Sequence, residues 1–165
     1  MKTLLLLRHA KSSWKYPDLA DHDRPLNKRG KQTAPRIGQL LKDENLLPDL
    51  ILSSTAARAQ TTARKVAKAS GYAGDIRATR ELYESGPETY LALLQAMADD
   101  HTRVLVVGHN PDLEMLLEHL TDEAETLPTA ALAQVELAIT HWQELNEDTE
   151  GKLVRVWRPK ELVGP

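Results

Sequence analysis

The sequence predicts an α/β fold: a three-layer α/β/α sandwich with a central, mostly parallel sheet and a C-terminal antiparallel hairpin. Short apolar runs alternate with amphipathic segments over residues 2–120, as strand–helix units do in such folds. Each run is too short for an ordinary helix but suits a strand that is buried on both faces. After residue 130, two further apolar segments flank an acidic turn, which is the pattern of a hairpin. Residues 1–165 are expected to form a single domain.

The first strand–helix unit is the clearest. A run of leucines at residues 4–7 forms a strand, and it stops abruptly at an Arg-His pair. Apolar residues then recur at helical spacing, which predicts a helix over about residues 30–45. The second strand is predicted at residues 49–52, as another short apolar run.

A second helix is predicted at about residues 56–69, where Gly71 ends it. Residues 53–55 all carry hydroxyl groups, and they are expected to cap the start of this helix. A weak extended segment follows near residues 76–78.

The second half of the chain continues the alternation and then changes character. Pro87 opens a helix, residues 103–107 form a β-branched buried strand, and Pro111 starts a helix with a leucine-rich face. Residues 131–139 and 153–157 are the two strands of the predicted hairpin.

Composition narrows the class of protein. Lys plus Arg is 21 and Asp plus Glu is 24, a net charge of −3, which does not favour nucleic-acid binding through bulk charge. Cysteine is absent, so disulfides, thiolate catalysis and a Cys-ligated zinc are excluded. No apolar stretch reaches the length of a membrane span. We expect a cytoplasmic protein with neither nucleic-acid nor membrane partners.

Three of the predicted strands end near side chains that suit a phosphate group. Arg8 and His9 follow the first strand, Arg58 lies at the start of the helix after the second strand, and His109 follows residues 103–107. Ligands of open α/β sheets bind outside the carboxyl ends of the strands. Two guanidinium groups and two imidazoles would repel one another there unless an anion lay between them. The sequence therefore predicts a phosphate pocket, with helix N-termini as further donors.

The same residues suggest a chemistry for this pocket. A neutral imidazole can attack phosphorus and form a phosphohistidine, which water then hydrolyses. The arginines and a protonated histidine would neutralise the phosphoryl oxygens, so no metal ion or other cofactor is expected. Nearby cations should lower the pKa of one histidine and keep it nucleophilic. The sequence also lacks a Gly-rich loop ending in Lys-Ser/Thr, the usual phosphate loop of nucleotide enzymes.

Four motifs resemble those of the histidine phosphatase (phosphoglycerate mutase-like) superfamily, in the family's order. They lie at residues 7–12, 26–34, 53–63 and 107–111, and read LRHAKS, LNKRGKQTA, SSTAARAQTTA and VGHNP. The family is marked by an Arg-His-Gly signature, in which Ala10 replaces the glycine. The short chain and Ala10 are most similar to the SixA-type branch, which removes phosphate from phosphohistidine on proteins.

The resemblance implies a role for each residue of the pocket. His9 would be the nucleophile that becomes phosphorylated. Arg8 and Arg58 would clamp the phosphoryl oxygens. His109 would bind the phosphoryl group and stabilise its developing charge.

Four more residues are candidates from the same resemblance. Ser12 and Asn110 would add hydrogen bonds to the substrate. Glu84 fits the position of the family's general acid better than Glu81 does, and both also fit solvated surface carboxylates. An alkoxide leaving group needs a proton, whereas a protonated phosphoimidazole leaves without a strong acid. Because the sequence does not identify one general acid, it favours a substrate in which an N–P bond rather than an O–P bond is broken.

Three functions fit these observations. The first is a metal-independent phosphatase for phosphohistidine in a protein, such as a histidine phosphotransfer domain, because the interval from Arg58 to His109 leaves little chain for a lid. The second is a phosphatase or mutase for a small phosphorylated metabolite. The third is a non-catalytic phosphate-sensing or docking protein, and the presence of both arginines and both histidines argues against it.

Several groups near the motifs stay without a single assignment. His22 is expected in a solvated loop. Trp14 either lines the mouth of the pocket or pins its loop. Lys11, Lys15 and residues 28–31 are either solvated charges or groups that steer an acidic partner.

Overall fold

A six-stranded sheet forms the centre of the computed structural model, which describes residues 1–162. The strands are β1 (Lys2–Arg8), β2 (Leu50–Ser54), β3 (Ile76–Thr79), β4 (Arg103–Gly108), β5 (Leu132–Leu137) and β6 (Gly151–Trp157). The helices are α1 (Lys28–Asp43), α2 (Ala57–Ser70), α3 (Pro87–Gln95) and α4 (Asp112–Thr121). Short 3₁₀ turns cover Asp21–Asp23, Arg80–Leu82, Trp142–Glu144 and Pro159–Glu161.

The sheet has a parallel part and an antiparallel hairpin, in the order β3-β2-β4-β1-β5-β6. β2 pairs in parallel with β3 and β4, and β4 pairs in parallel with β1. β5 is antiparallel to β1, and β6 is antiparallel to β5. The predicted fold class is confirmed. Because Arg8 is in register with Gly108, the residues that follow β1 and β4 start from neighbouring positions at one edge of the sheet.

Helices cover both faces of the sheet, as the leucine run of β1 requires. Leu4 and Leu6 pack with residues of α3 and α4, whereas Leu5 and Leu7 pack with residues of α1 and α2. None of these four side chains is exposed to solvent. Burying one leucine contributes about 1.5–3 kcal/mol. A strand that is apolar on both faces is therefore stable only between two layers.

Local signals set the helix ends, with one exception. Asn27 accepts a hydrogen bond from the Gly30 N–H at the start of α1, and Gly71 ends α2 in the left-handed conformation (φ 84°). The predicted hydroxyl cap of α2 is wrong, because Ala56 occupies the N-cap position and makes no side-chain cap. Ser54 is still part of β2, two residues before the N-cap position. Within residues 1–162, no helix is long and apolar enough for a transmembrane span.

The hairpin forms as predicted, with shifted ends. β5 is shorter than residues 131–139, and β6 begins before residue 153. The connection between them contains the fully buried Trp142, whose indole N–H donates to the carbonyl oxygen of His101 (2.6 Å). This contact attaches the connection to the core.

Candidate active site

A cavity of about 590 Å³ opens where β1 and β4 end. Arg8, His9, Arg58 and His109 all line it, so the structure brings together the four side chains that were expected to surround an anion. The ring centroids of His9 and His109 are 5.2 Å apart. The other lining residues are Lys11, Ser12, Trp14, Arg24, Tyr83, Glu84, Gly86, Asn110, Pro111, Asp112 and Thr129.

His9 keeps one ring nitrogen free for attack. Its Nδ1 lies 2.8 Å from the carbonyl oxygen of Ala10, which can only accept a hydrogen bond. We therefore infer that Nδ1 carries the ring proton and that Nε2 has a free lone pair. This is the tautomer that a nucleophilic imidazole needs.

The His9 ring is neutral near neutral pH. Burial lowers the pKa of His9 to about 3, with smaller contributions from His109, Arg58 and Arg8. The direction agrees with the sequence-based expectation, but the main cause is different. Loss of water around the ring outweighs the neighbouring cations.

Ser54 orients His109, a contact that the sequence analysis missed. The Nε2 atom of His109 lies 2.8 Å from the Ser54 hydroxyl oxygen, which also accepts a hydrogen bond from the Ala56 N–H (3.1 Å). In the described part of the chain, the hydroxyl proton has the imidazole as its acceptor, so we infer that Nε2 is unprotonated and that Nδ1 carries the proton. That Nδ1 is buried and has no partner among residues 1–162. It is the donor that remains for an anion in the pocket.

His109 is also neutral in the free protein. Burial, followed by the charge of Arg58, lowers its pKa to about 4, and the carboxylate of Asp21 opposes this shift. The expectation of a protonated histidine therefore does not hold for the empty pocket. A bound dianion would favour protonation of the ring, since it adds negative charge beside it.

Each arginine keeps part of its guanidinium group for the pocket. Arg8 donates from Nη1 to the carbonyl oxygen of Leu127 (3.1 Å), while its buried Nε has no partner among residues 1–162. Arg58, the second residue of α2, donates from Nη1 and Nη2 to the carbonyl oxygen (2.7 Å) and carboxylate (3.0 Å) of Asp21. These contacts hold both cations beside the imidazoles.

Asp21 was not predicted as part of the site, although it belongs to a charged run, Asp-His-Asp-Arg at residues 21–24. Its carboxylate accepts hydrogen bonds from Arg58, from Arg24 (3.2 Å) and from the Tyr83 hydroxyl (2.6 Å). The bond from Tyr83 is the main cause that lowers the pKa of Asp21. The 3₁₀ turn Asp21–Asp23 thus connects the loop after β1 to the start of α2.

The structure separates the two candidate acids. Both are exposed, but Glu84 lines the pocket, with a left-handed backbone (φ 54°), whereas Glu81 lies outside the lining. A third carboxylate, Asp112, was missed. It lines the pocket, accepts a hydrogen bond from the Gly86 N–H (3.3 Å), and has its pKa raised by burial. Its position at the first residue of α4 was the available signal.

Ser12 and Asn110 lie at the pocket but have partners of their own. The Ser12 hydroxyl accepts a short hydrogen bond from Arg24, which leaves its proton free to donate. The Asn110 amide nitrogen donates to Glu114 (2.9 Å) and to the carbonyl oxygen of Leu127 (2.8 Å). Asn110 therefore braces the pocket wall, and its contact with substrate stays a prediction.

The loop after β1 contributes the rim of the pocket. Trp14 lines the mouth and is 79% exposed, and the Arg24 guanidinium stacks on its ring at 3.4 Å. His22 is less solvated than expected: its Nε2 lies 2.9 Å from the Thr55 hydroxyl, and its ring contacts Tyr83 edge-on at 4.8 Å.

Comparison with known proteins identifies relatives of this chain. Residues 4–90 match the model of the histidine phosphatase superfamily, branch 1. An uncharacterized protein of Mycobacterium tuberculosis (strain ATCC 25618 / H37Rv) is 36% identical over 151 residues, which cover 84% of this chain and 91% of that protein. The crystal structure of a candidate phosphohistidine phosphatase, SixA from Agrobacterium tumefaciens, superposes with a TM-score of 0.82 at 34% identity. It covers 96% of this chain and 98% of the other.

Proposed function

We propose that this chain, which belongs to branch 1 of the histidine phosphatase superfamily and is a phosphatase of the SixA type, hydrolyses phosphohistidine in proteins. The reaction proceeds through a phosphohistidine formed on the enzyme's own His9. The observation that carries this proposal is the state of His9. The ring is buried and neutral, with Nε2 unprotonated, in a cavity that it shares with two arginines and a second histidine.

In the first step, His9 Nε2 attacks phosphorus. A bond forms between Nε2 and phosphorus, and the bond from phosphorus to the substrate nitrogen breaks, so that the phosphoryl group moves to the enzyme. The carbonyl oxygen of Ala10 keeps Nδ1 protonated and stabilises the positive charge that the ring gains. The attack needs no prior loss of a proton.

Arg8, Arg58 and His109 stabilise the transferring group. The two guanidinium groups and the Nδ1–H of His109 donate to the equatorial phosphoryl oxygens, where negative charge is spread in the transition state. Because these donors are already held by Leu127, Asp21 and Ser54, they need little reorganisation during the reaction.

Glu84 is the proposed acid and base. It protonates the leaving nitrogen in the first step, and its carboxylate takes a proton from the water that attacks phosphorus in the second. This water releases inorganic phosphate and restores His9. Two observations support this role: Glu84 lines the same pocket as His9, and its backbone is left-handed (φ 54°), a conformation that occurs often at active sites.

The absence of room for a lid supports a protein substrate. Between Arg58 and His109 the chain forms the rest of α2, then β3, the turn Arg80–Leu82, α3 and β4, with short connections. A pocket bordered by the exposed ring of Trp14 can receive a side chain presented by another protein.

Metal independence is part of the proposal. Two guanidinium groups supply the positive charge that a metal ion supplies in other phosphatases. In the part of the chain that the structure describes, no three His, Asp or Glu side chains are grouped so that they could hold a metal ion.

The test compares substrates in the presence of EDTA. Release of phosphate is measured from a phosphohistidine peptide, from p-nitrophenyl phosphate and from glycerol 3-phosphate. We expect the phosphohistidine peptide to have the highest kcat/KM, and His9→Ala to lower every rate by about 10³-fold or more. Rapid quenching followed by mass spectrometry should find an acid-labile phosphate on His9.

Two results would overturn the proposal. Turnover by His9→Ala near the wild-type rate would exclude His9 as the nucleophile. A preference for glycerol 3-phosphate over the phosphohistidine peptide would move the function to a small phosphorylated metabolite.

A further inference from the structure

We propose that a positively charged groove beside the catalytic pocket binds an acidic stretch of the phosphorylated protein substrate. This inference rests on the proposed function and deepens it, because it names the kind of protein surface that the enzyme selects. The basic groove is defined by Lys11, Arg29, Arg158 and Lys160, which line a second cavity of about 510 Å³.

The groove adjoins the catalytic pocket. Lys11 and Thr129 line both cavities. Ala130, which lines the groove, donates from its backbone N–H to the carbonyl oxygens of Arg8 (3.1 Å) and His9 (3.0 Å). A chain lying in the groove would therefore run directly beside a phosphohistidine side chain bound at His9.

The charge of the groove is not balanced by its own carboxylates. Arg158 is paired with Glu125 (2.8 Å) and with Glu161 (3.8 Å), the one acidic residue among those lining the groove. Lys11, Arg29 and Lys160 form no ion pair with any carboxylate of residues 1–162.

This local excess of cations contrasts with the whole chain. The protein has a net charge of −3, so a concentration of unpaired cations beside the pocket is not a consequence of its composition. Like charges held together repel one another, and carboxylates of a bound partner would remove that repulsion.

The form of the groove fits an extended peptide better than a second small anion. Its three unpaired cations are solvent-exposed and come from separate segments: the loop after β1, helix α1 and the turn Pro159–Glu161. A single phosphate or carboxylate is bound most strongly by donors that converge on its oxygens, often in bidentate pairs. Pro128, Ala130 and Pro159 line the same groove, and they offer apolar contact area to a main chain.

The experiment uses two phosphohistidine peptides of equal length, one flanked by glutamates and the other by glutamines. We expect the wild-type enzyme to prefer the acidic peptide by about tenfold in kcat/KM, mainly through KM, with the preference falling as salt is added. The double variant Arg29→Glu, Lys160→Glu should lose this preference. Neither residue lines the catalytic pocket, so its rate with p-nitrophenyl phosphate should be unchanged.

A matched variant separates the groove from bulk charge. Arg64→Glu, Lys68→Glu makes the same charge change at exposed positions of α2 that line neither cavity, and it should keep the wild-type preference. Equal hydrolysis of the two peptides by the wild type, or equal loss in both double variants, would overturn the groove and leave the proposed function intact. Hydrolysis of p-nitrophenyl phosphate but of neither peptide would instead overturn the proposed function.

One more arm tests a small ligand as the occupant. The groove variant and the wild type are compared with 3-phosphoglycerate, an anionic phosphate ester. We expect equal kinetics. A loss for this ester as large as the loss for the acidic peptide would mean that the groove takes small anions, which contradicts the proposal.

Discussion

At the scale of single residues, the pocket depends on where each imidazole carries its proton. The carbonyl oxygen of Ala10 holds the proton of His9 on Nδ1, and the hydroxyl of Ser54 leaves the proton of His109 on Nδ1 as well. One ring thereby presents a lone pair to phosphorus and the other presents a donor to the phosphoryl oxygens. Two identical side chains take different roles because their hydrogen-bond partners differ.

Replacing Ser54 tests this assignment. In Ser54→Ala, the His109 ring loses the partner that selects its tautomer, so we expect kcat/KM for p-nitrophenyl phosphate to fall about tenfold, the equivalent of roughly 1.4 kcal/mol. Ser53→Ala is the matched control. Ser53 is equally buried, but its hydroxyl donates only to the carbonyl oxygen of Ser54 (2.9 Å).

The titration of the His109 ring distinguishes a positioning role of Ser54 from a purely structural one. The titration of His109, followed by NMR with vanadate bound, should shift in Ser54→Ala and stay unchanged in Ser53→Ala. Equal kinetic loss in the two variants would mean that Ser54 acts only through the stability of β2.

At the scale of elements, the contact between α1 and α2 positions the residues on which the pocket depends. Gly38 of α1 lies so close to α2 that a Cβ atom there would be 2.5 Å from the carbonyl oxygen of Val66 and 2.7 Å from the Cβ of Ala69. The two helices can pack at this distance because position 38 has no side chain. The first turn of α2 carries Arg58, so the packing of the pair also places a cation of the site.

Gly38→Ala should destabilise the fold. Alanine favours a helix over glycine by about 1 kcal/mol, but the clash with backbone atoms of α2 should outweigh this gain and lower the free energy of unfolding by about 1–3 kcal/mol. Urea denaturation measures the difference. Gln32→Ala, at an exposed position of α1, should change the stability by less than about 0.5 kcal/mol. A Gly38→Ala protein as stable as the wild type would show that the helices can separate without cost.

At the scale of the whole molecule, the buried histidines make stability depend on pH. Folding lowers the pKa of His9 to about 3 and that of His109 to about 4, from an ordinary value of 6.5, and burial is the main cause for both. At a pH between about 4 and 6.5, the unfolded chain therefore binds more protons on these two histidines than the folded chain does. The free energy of unfolding therefore falls as the pH drops below about 6.5 and is recovered as the pH rises.

His9→Gln should reduce this dependence. For one such histidine, the loss between pH 7 and pH 5 amounts to about 2 kcal/mol, so the difference in unfolding free energy between the two pH values should be smaller by that amount in the variant. Chemical denaturation at both pH values measures it. His119→Gln, at an exposed position, serves as the control. The same pH dependence in wild type and His9→Gln would contradict a neutral, buried ring.

Much of the fold was predictable because it depends on local pattern. The leucine run of β1, the β-branched run of β4 and the apolar periodicity of α1 identify their elements without knowledge of the neighbours. The grouping of Arg8, His9 and His109 followed from one topological rule, that parallel strands end at the same edge of a sheet.

The strand–helix alternation and the four motifs were enough to identify the α/β class, the strand ends that carry Arg8, His9 and His109, and the resemblance to histidine phosphatases. The packing of the chain was needed to show that Ser54 contacts His109 rather than capping α2 and that Asp21 holds Arg58. It also placed Glu84, which the resemblance favoured over Glu81, in the lining of the pocket. Those contacts join residues far apart in the chain, 55 positions for Ser54 and His109 and 37 for Asp21 and Arg58. Periodicity records which face of an element is buried, but the meeting of two polar side chains depends on how loops and helices pack around that core.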